Sequence, residues 1–331
     1  MNHPLHPNTP DTAALRLARA SEVRSLGHGE VHGKVILIGE HAVVYGQPAI
    51  ALPVTSVTAQ VELRRYDAAH IDSDLYVGLS TVAPDEVEPV RAAVRAVSRV
   101  VGFAEDEVGV TIRSTIPVAR GLGSSAAVAA AIVEAASEAS GVDLTDDERY
   151  ELIQTSERIA HGTPSGLDAR TVVSDVPLLF QQGETTDLTV GAEFGFVIAD
   201  TGNASATAPA LAGVRALLAT EPEMVEDAIG RLGELTLQAR DALAAGDADL
   251  LGASLNEAHT HLGRIDVSSP ELDSLVEAAR AAGALGAKLT GGGLGGCIIA
   301  LAATPAASGE LADALTTAGA ARVWSMTLKA S

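Results

Sequence analysis

Two hydrophobic periods divide the chain. From Thr55 to Leu63 apolar positions alternate, with Val57, Ala59, Val61 and Leu63 on one face, the pattern of a half-exposed strand. Val35–Ile38 and Ala49–Leu52 are short continuous apolar runs, which read as buried strands. Between about 86 and 101, Val90, Val94, Val97 and Val101 recur at helical spacing. An extended run over 108–116 then gives way to an alanine-rich helix over 126–140, with Gly141 as its C-cap. Thr145-Asp-Asp-Glu148 is a capping box that opens a helix to about residue 160. After a strand at Gly195–Asp200, helices are expected near 208–219, 223–245, 247–262 and 270–282. Strands at about 285–290, 296–303 and 321–329 follow, with a helix near 309–318.

This order divides the chain into a tail (1–22), a first domain (23–190) and a second (191–331), with the boundary near Gly191. The tail carries Pro4, Pro7 and Pro10 and reads as weakly ordered, and the folded part is expected to open at Val31. The connection between domains is too short and too apolar for a flexible linker, so the two should pack closely.

Composition narrows the function. At 331 residues and 47% hydrophobic, the chain can bury large cores. A formal charge of −21 argues against a nucleic-acid or anionic-membrane surface, so a polyanionic substrate would need a local cationic site and a metal. One cysteine, Cys297, leaves no internal disulfide and fits a reducing cytoplasm. No apolar run is long enough for a membrane span. Of 22 basic residues only Lys34, Lys288 and Lys329 are lysines, a bias that can keep lysine where a compact point charge is needed.

The chemistry centres on Pro117-Val-Ala-Arg-Gly-Leu-Gly-Ser-Ser-Ala-Ala127. Pro117, Gly121 and Gly123 prevent a helix up to this point, and the alanines enforce one after it. The junction is therefore a strand, a glycine loop and a helix N-terminus, where free N–H groups and the dipole favour an anion. Ser124 and Ser125 add hydroxyls that can cap the helix or ligate a phosphate-bridging metal. It is not a Walker A loop, because no lysine precedes Ser124. On this stretch alone a tight turn with capping serines remains an equal alternative. Gly291-Gly-Gly-Leu-Gly-Gly296 is followed by a strand rather than a helix, so it is no dinucleotide fingerprint. Glu157 ends a helix and Asp168 follows the next turn, so both carboxylates could face one site. His259-Thr-His261 lacks a third ligand of matching spacing and reads as a polar helix face.

Four segments carry a resemblance: Gly33–Gly46 with its Gly-Glu-His-Ala-Val-Val-Tyr-Gly end, Pro117–Ala127, Glu157-Arg-Ile-Ala-His-Gly-Thr-Pro-Ser-Gly-Leu-Asp168, and Lys288–Cys297. In order and spacing the chain resembles the GHMP kinase superfamily and, within it, the mevalonate kinases of bacterial type. The resemblance implies an α+β, two-domain fold, the first domain ribosomal S5 domain 2-like and the second ferredoxin-like, with the active site in the cleft between them. It implies ATP-dependent phosphorylation of the terminal hydroxyl of (R)-mevalonate with Mg²⁺, and it allows a homodimer. Carried over by position, Asp168 would be base or orienter and Lys34 the cation at the transferring group. Pro117, Gly121, Leu122, Gly123, Ser124, Ser125 and Ala126 would hold the nucleotide phosphates. Ser125 and Glu157 would hold the metal, and Glu40, His41, Gly166, Thr207 and Gly292 the substrate. The adenine is expected between residues 55 and 110. Two rivals are a GHMP kinase for another small alcohol (phosphomevalonate, homoserine or a sugar) and a non-catalytic sensor of the same fold. The Glu40–Gly46 run opposes the first, and the intact Lys34, Glu157 and Asp168 set opposes the second.

Overall fold

The computed structural model describes residues 25–162 and 164–331; the expected tail, 1–22, lies outside them. The first half is a sheet of β1 (Ser25–Ile38), β2 (Ala49–Arg65), β3 (His70–Asp72), β4 (Val77–Leu79), β5 (Val108–Ser114), β6 (Leu178–Gln181) and β7 (Glu184–Asp187). Its order is β4-β3-β5-β2-β6-β7, and β1 also pairs with β2, running antiparallel from Ser25↔Arg64 to Ile38↔Ile50. Helices α1 (Glu88–Val101), α2 (Ser124–Ser140), α3 (Asp146–His161) and α4 (Leu167–Thr171) accompany it.

β1 starts six residues before the expected Val31. Its opening, Ser25-Leu-Gly-His-Gly-Glu, lacks the β-branched pattern that announces a strand. The reason is packing. A Cβ added at Gly27 or Gly29 would run into the backbone of α2 at Ala135 and Ala131. Glycine on the strand and alanine on the helix let the two backbones approach closely, and α2 buries nine residues along this face. The helix with the central glycine loop at its N-terminus is thereby fixed to the middle of the sheet.

The second half opens on β8 (Phe194–Asp200), followed by α5 (Thr207–Thr220), α6 (Pro222–Ala245), α7 (Ala248–Arg264) and α8 (Pro270–Ala281). β9 (Gly286–Thr290), β10 (Cys297–Leu301), α9 (Ser308–Thr317) and β11 (Arg322–Leu328) complete it. The four strands form an antiparallel sheet in the order β11-β8-β10-β9, the ferredoxin-like arrangement. The expected capping box at Thr145 and Glu148 is present in both directions. One expectation needs correction. His259 does not lie on a polar face but is buried, with Nε2 3.2 Å from Asp273 Oδ1 and the Leu289 N–H donating to Nδ1. Only a third contact, unseen in sequence, turns that side of α7 inward: it packs on β9. Among the described residues no helix is long and apolar enough to cross a membrane.

Candidate active site

β5 delivers the chain to Pro117, and the loop that follows turns through left-handed residues at Ala119, Gly121 and Gly123. Gly123 is the N-cap of α2, at φ 74°, so neither Ser124 nor Ser125 caps the helix. The Gly123 carbonyl accepts from the Ala127 N–H. The N–H groups of Ser124, Ser125 and Ala126 thus have no partner within the helix and point out of its positive end. The Ser124 and Ser125 hydroxyls are released from capping for other work.

The loop is held from both halves of the molecule. On one side Leu122, itself buried, accepts from the Lys34 N–H at 3.1 Å. On the other, the Ala119 carbonyl accepts from the Ser205 N–H at 2.8 Å, and Gly121 lies directly against Gly291. The two glycine loops therefore meet backbone to backbone. Arg120 adds an ion pair, its Nε 2.9 and 3.0 Å from the two Asp200 oxygens, and its Nη2 donates to the Gly202 carbonyl at 2.9 Å.

Lys34, Glu157 and Asp168 come together beside this helix start. Lys34 is buried and its Nζ lies 2.8 Å from Asp168 Oδ1. Asp168 stands in the first turn of α4, after Gly166 in the left-handed N-cap position, and keeps a third of its surface open. Glu157 is buried in the last turn of α3. Burial raises its pKa above the ordinary carboxylate value, and the neighbouring Asp168 charge raises it further. Ser125 stands beside the Glu157 carboxylate and offsets part of that rise, and its Oγ is 3.2 Å from His161 Nε2. Glu157 Oε1 remains buried with no partner. An orphaned carboxylate oxygen beside a serine hydroxyl is a donor set suited to a hard divalent cation. Among the described residues no group of three or more His, Cys, Asp or Glu forms a closed metal cage. The fit is to an ion completed by phosphates and water, as Mg²⁺ prefers, rather than to a dedicated metal centre.

The expected substrate residues lie on the seam between halves. Glu40 and His41 follow β1 in a turn, with His41 at φ 60°. His41 Nε2 donates to the Gly292 carbonyl at 3.1 Å, and burial lowers its pKa to about 4. Gly292 in turn packs on Thr207, the first residue of α5, where any Cβ would meet the threonine hydroxyl. Gly166 is apart from these, against Tyr150 and Gln154 of α3. Pro117 leads into the loop but carries none of its contacts to the second half. A cavity of about 520 Å³, lined by Asp67, His70, Ile71, Arg91, Val94 and Val110 among others, opens within the interval expected for the adenine.

Sequence reasoning assigns no role to four participants. His161 reaches Ser125. Arg120 and Asp200 pair across the seam, and the signal is an arginine in a loop with no other charge. Lys288, one of three lysines and the first residue of the Lys288–Cys297 segment, pairs with Glu40.

A glycine loop on a helix N-terminus, a buried lysine–aspartate pair and an open carboxylate–hydroxyl site make this a phosphotransferase cleft. Family comparisons agree in class: residues 88–174 match the GHMP kinases N terminal domain and residues 239–321 the GHMP kinases C terminal domain. A mevalonate kinase from Thermococcus sibiricus is 36% identical over 314 residues, covering 86% of this chain and 91% of that one. A Leishmania major mevalonate kinase, solved in complex with R-mevalonate, superposes with a TM-score of 0.79 at 29% identity, over 92% of this chain and 96% of that one. One from methicillin-resistant Staphylococcus aureus gives 0.70 at 33%, over 91% and 98%. The chain belongs to the mevalonate kinase family of the GHMP kinases.

Proposed function

We infer that the chain transfers the γ-phosphoryl group of ATP to the terminal hydroxyl of (R)-mevalonate, giving 5-phosphomevalonate and ADP. The observation that carries the reading is the Lys34–Asp168 pair, 2.8 Å apart, beside the free N–H groups of α2. Asp168 accepts the substrate hydroxyl and aims its oxygen; a loose transition state asks little more of it. Lys34 holds the Asp168 charge and meets the charge that develops on the transferring group. The N–H groups of Ser124, Ser125 and Ala126 cradle phosphate oxygens, with Gly121, Leu122 and Gly123 keeping side chains out of the way. Ser125 and Glu157 would hold Mg²⁺, which when bound neutralises charge on the phosphates. Glu40, His41, Thr207 and Gly292 form the substrate end, and Gly166 acts apart from them as the N-cap that places Asp168 in the first turn of α4. A cytoplasmic enzyme, able to form a homodimer, completes the proposal on the family's pattern.

The test is ADP release by the purified protein with Mg-ATP and mevalonate, phosphomevalonate, homoserine or galactose offered singly, with Asp168→Asn in parallel. Turnover with mevalonate alone, lost in the variant, is the expected result. Turnover with a different alcohol would overturn the substrate, and binding without ADP release would overturn the enzyme.

A further inference from the structure

Two of the three lysines in the chain, Lys34 and Lys288, are buried. Lys34 has work in phosphoryl transfer, whereas Lys288 has so far none. Lys288 stands on β9 of the second half, wholly enclosed, and donates to Glu40 Oε1 and to the Leu289 carbonyl. Glu40 belongs to the first half and is enclosed as well. The same seam is joined by Thr290 Oγ1 donating to the Ile36 carbonyl at 2.8 Å and by the His41–Gly292 bond. The charged groups facing Glu40 are Lys288 from β9 and, less closely, Lys34 from β1. His259 of α7 is near Lys288, and His41 is Glu40's own neighbour.

The hydrogen-bond roles here follow from elementary chemistry. A carbonyl oxygen only accepts, so His41 Nε2 must carry the proton it gives to Gly292. The imidazole is neutral, so Nδ1 is a bare acceptor. His41 Nδ1 and Glu40 Oε2 are both buried, and neither has a partner. Two consecutive residues therefore each present one unsatisfied acceptor, in the turn that His41 Nε2 joins to Gly292 across the seam. Buried acceptors without donors are costly, and their usual explanation in a cleft is a ligand that supplies the donors. A carboxylate has none to give. A hydroxyl does.

We propose that Lys288 is a positioning residue for the substrate: by anchoring Glu40 Oε1 across the seam, it holds Glu40 Oε2 and His41 Nδ1 as an acceptor pair for hydroxyl groups of the alcohol. The proposal rests on the mevalonate reading above. The turn it anchors is not one that the chain adopts freely, since His41 sits at φ 60°, where a side chain is strained. Lysine suits the place because a compact ammonium can be enclosed against one carboxylate oxygen, whereas a guanidinium would reach for both. Burial already raises the Glu40 pKa against the pull of Lys288, and without that lysine the enclosed carboxyl would keep only the more distant Lys34 and be held further toward its protonated form. A protonated carboxyl can donate, and the acceptor pair would be lost.

The experiment compares the parent, Lys288→Met and the double variant Lys288→Met/Glu40→Gln, measuring kcat and KM for mevalonate and for ATP. Thermal unfolding is followed over the same pH series. In Lys288→Met the KM for mevalonate should rise about tenfold or more at neutral pH while that for ATP moves by less than about twofold. It should recover as pH rises above neutrality and the unpaired Glu40 ionises. The melting temperature of that variant should fall as pH rises from the free carboxylate value of 4.5 and level off once the KM has recovered, because a carboxyl with a raised folded pKa loses stability between its unfolded and folded values. The double variant should melt like the parent at every pH yet keep the high KM without pH dependence. A Lys288→Met enzyme whose mevalonate KM and pH profile match the parent overturns the proposal, even where its melting shows the pair to be structural. A parent that turns over no mevalonate overturns the functional reading first and this proposal with it.

Discussion

Replacing Arg120 with alanine removes the strap between the phosphate loop and the second half. The arginine side chain is 19% exposed and Asp200 5%, so the pair is largely screened from water. Two contacts to Asp200 at 2.9 and 3.0 Å and one to the Gly202 carbonyl at 2.9 Å disappear. Asp200 is left as a buried charge with the Gly202 N–H at 2.8 Å among its remaining donors. Removing one partner of a buried pair costs about 3–5 kcal/mol. The retained N–H and the partial exposure of the arginine bring this to about 2–4 kcal/mol. At about 2–4 °C per kcal/mol for a chain of this size, the melting temperature should fall by roughly 5–15 °C. Urea denaturation and calorimetry of Arg120→Ala, Asp200→Asn and the double variant measure it. The asparagine can still accept from Gly202, so the double variant should be less damaged than the sum by at least about 1 kcal/mol. Strict additivity, or a loss below about 1 kcal/mol in Arg120→Ala, would refute the strap.

Other outcomes follow from the same geometry. Asp168→Asn should lower kcat by about 10²–10⁴-fold in steady-state assays and also lower the melting temperature, since the buried Lys34 loses its counter-charge. Gly123→Ala forces a side chain to φ 74° and places its Cβ 2.7 Å from Lys34 Cγ, displacing the lysine. Turnover should fall by about tenfold or more, measured as kcat at saturating ATP. His41 and His259 are held neutral in the fold with pKa values near 4, against 6.5 when free, so unfolding takes up protons between those values. Stability is therefore present above pH 6.5 and lost as pH falls towards 4, and His259→Gln should flatten that acid limb of the melting curve.

The fold was legible wherever local pattern decides. Helices after Asp200 and the capping box at Thr145 follow from period and cap chemistry, which neighbours in sequence supply. The start of β1 was not legible, because Gly27 and Gly29 are there for the sake of α2, a hundred residues away. His259 failed for the same reason: its burial depends on β9 rather than on α7 alone. Within the site, the glycine loop could be read from residues, while the roles of Lys34, Glu157 and Asp168 came only with the family resemblance. Their meeting place, and the Arg120–Asp200 and Glu40–Lys288 pairs, are tertiary facts with no spacing to betray them.

Gly121 touches Gly291, and these glycines come from opposite halves of the chain. Each half alone would carry an open loop: one with phosphate-binding amides, the other with the glycine floor beneath them. A complete site therefore requires the two halves docked against each other, and a chain whose halves have parted should lose activity. Heat should silence the enzyme at the temperature where the halves part, ahead of the melting of either sheet.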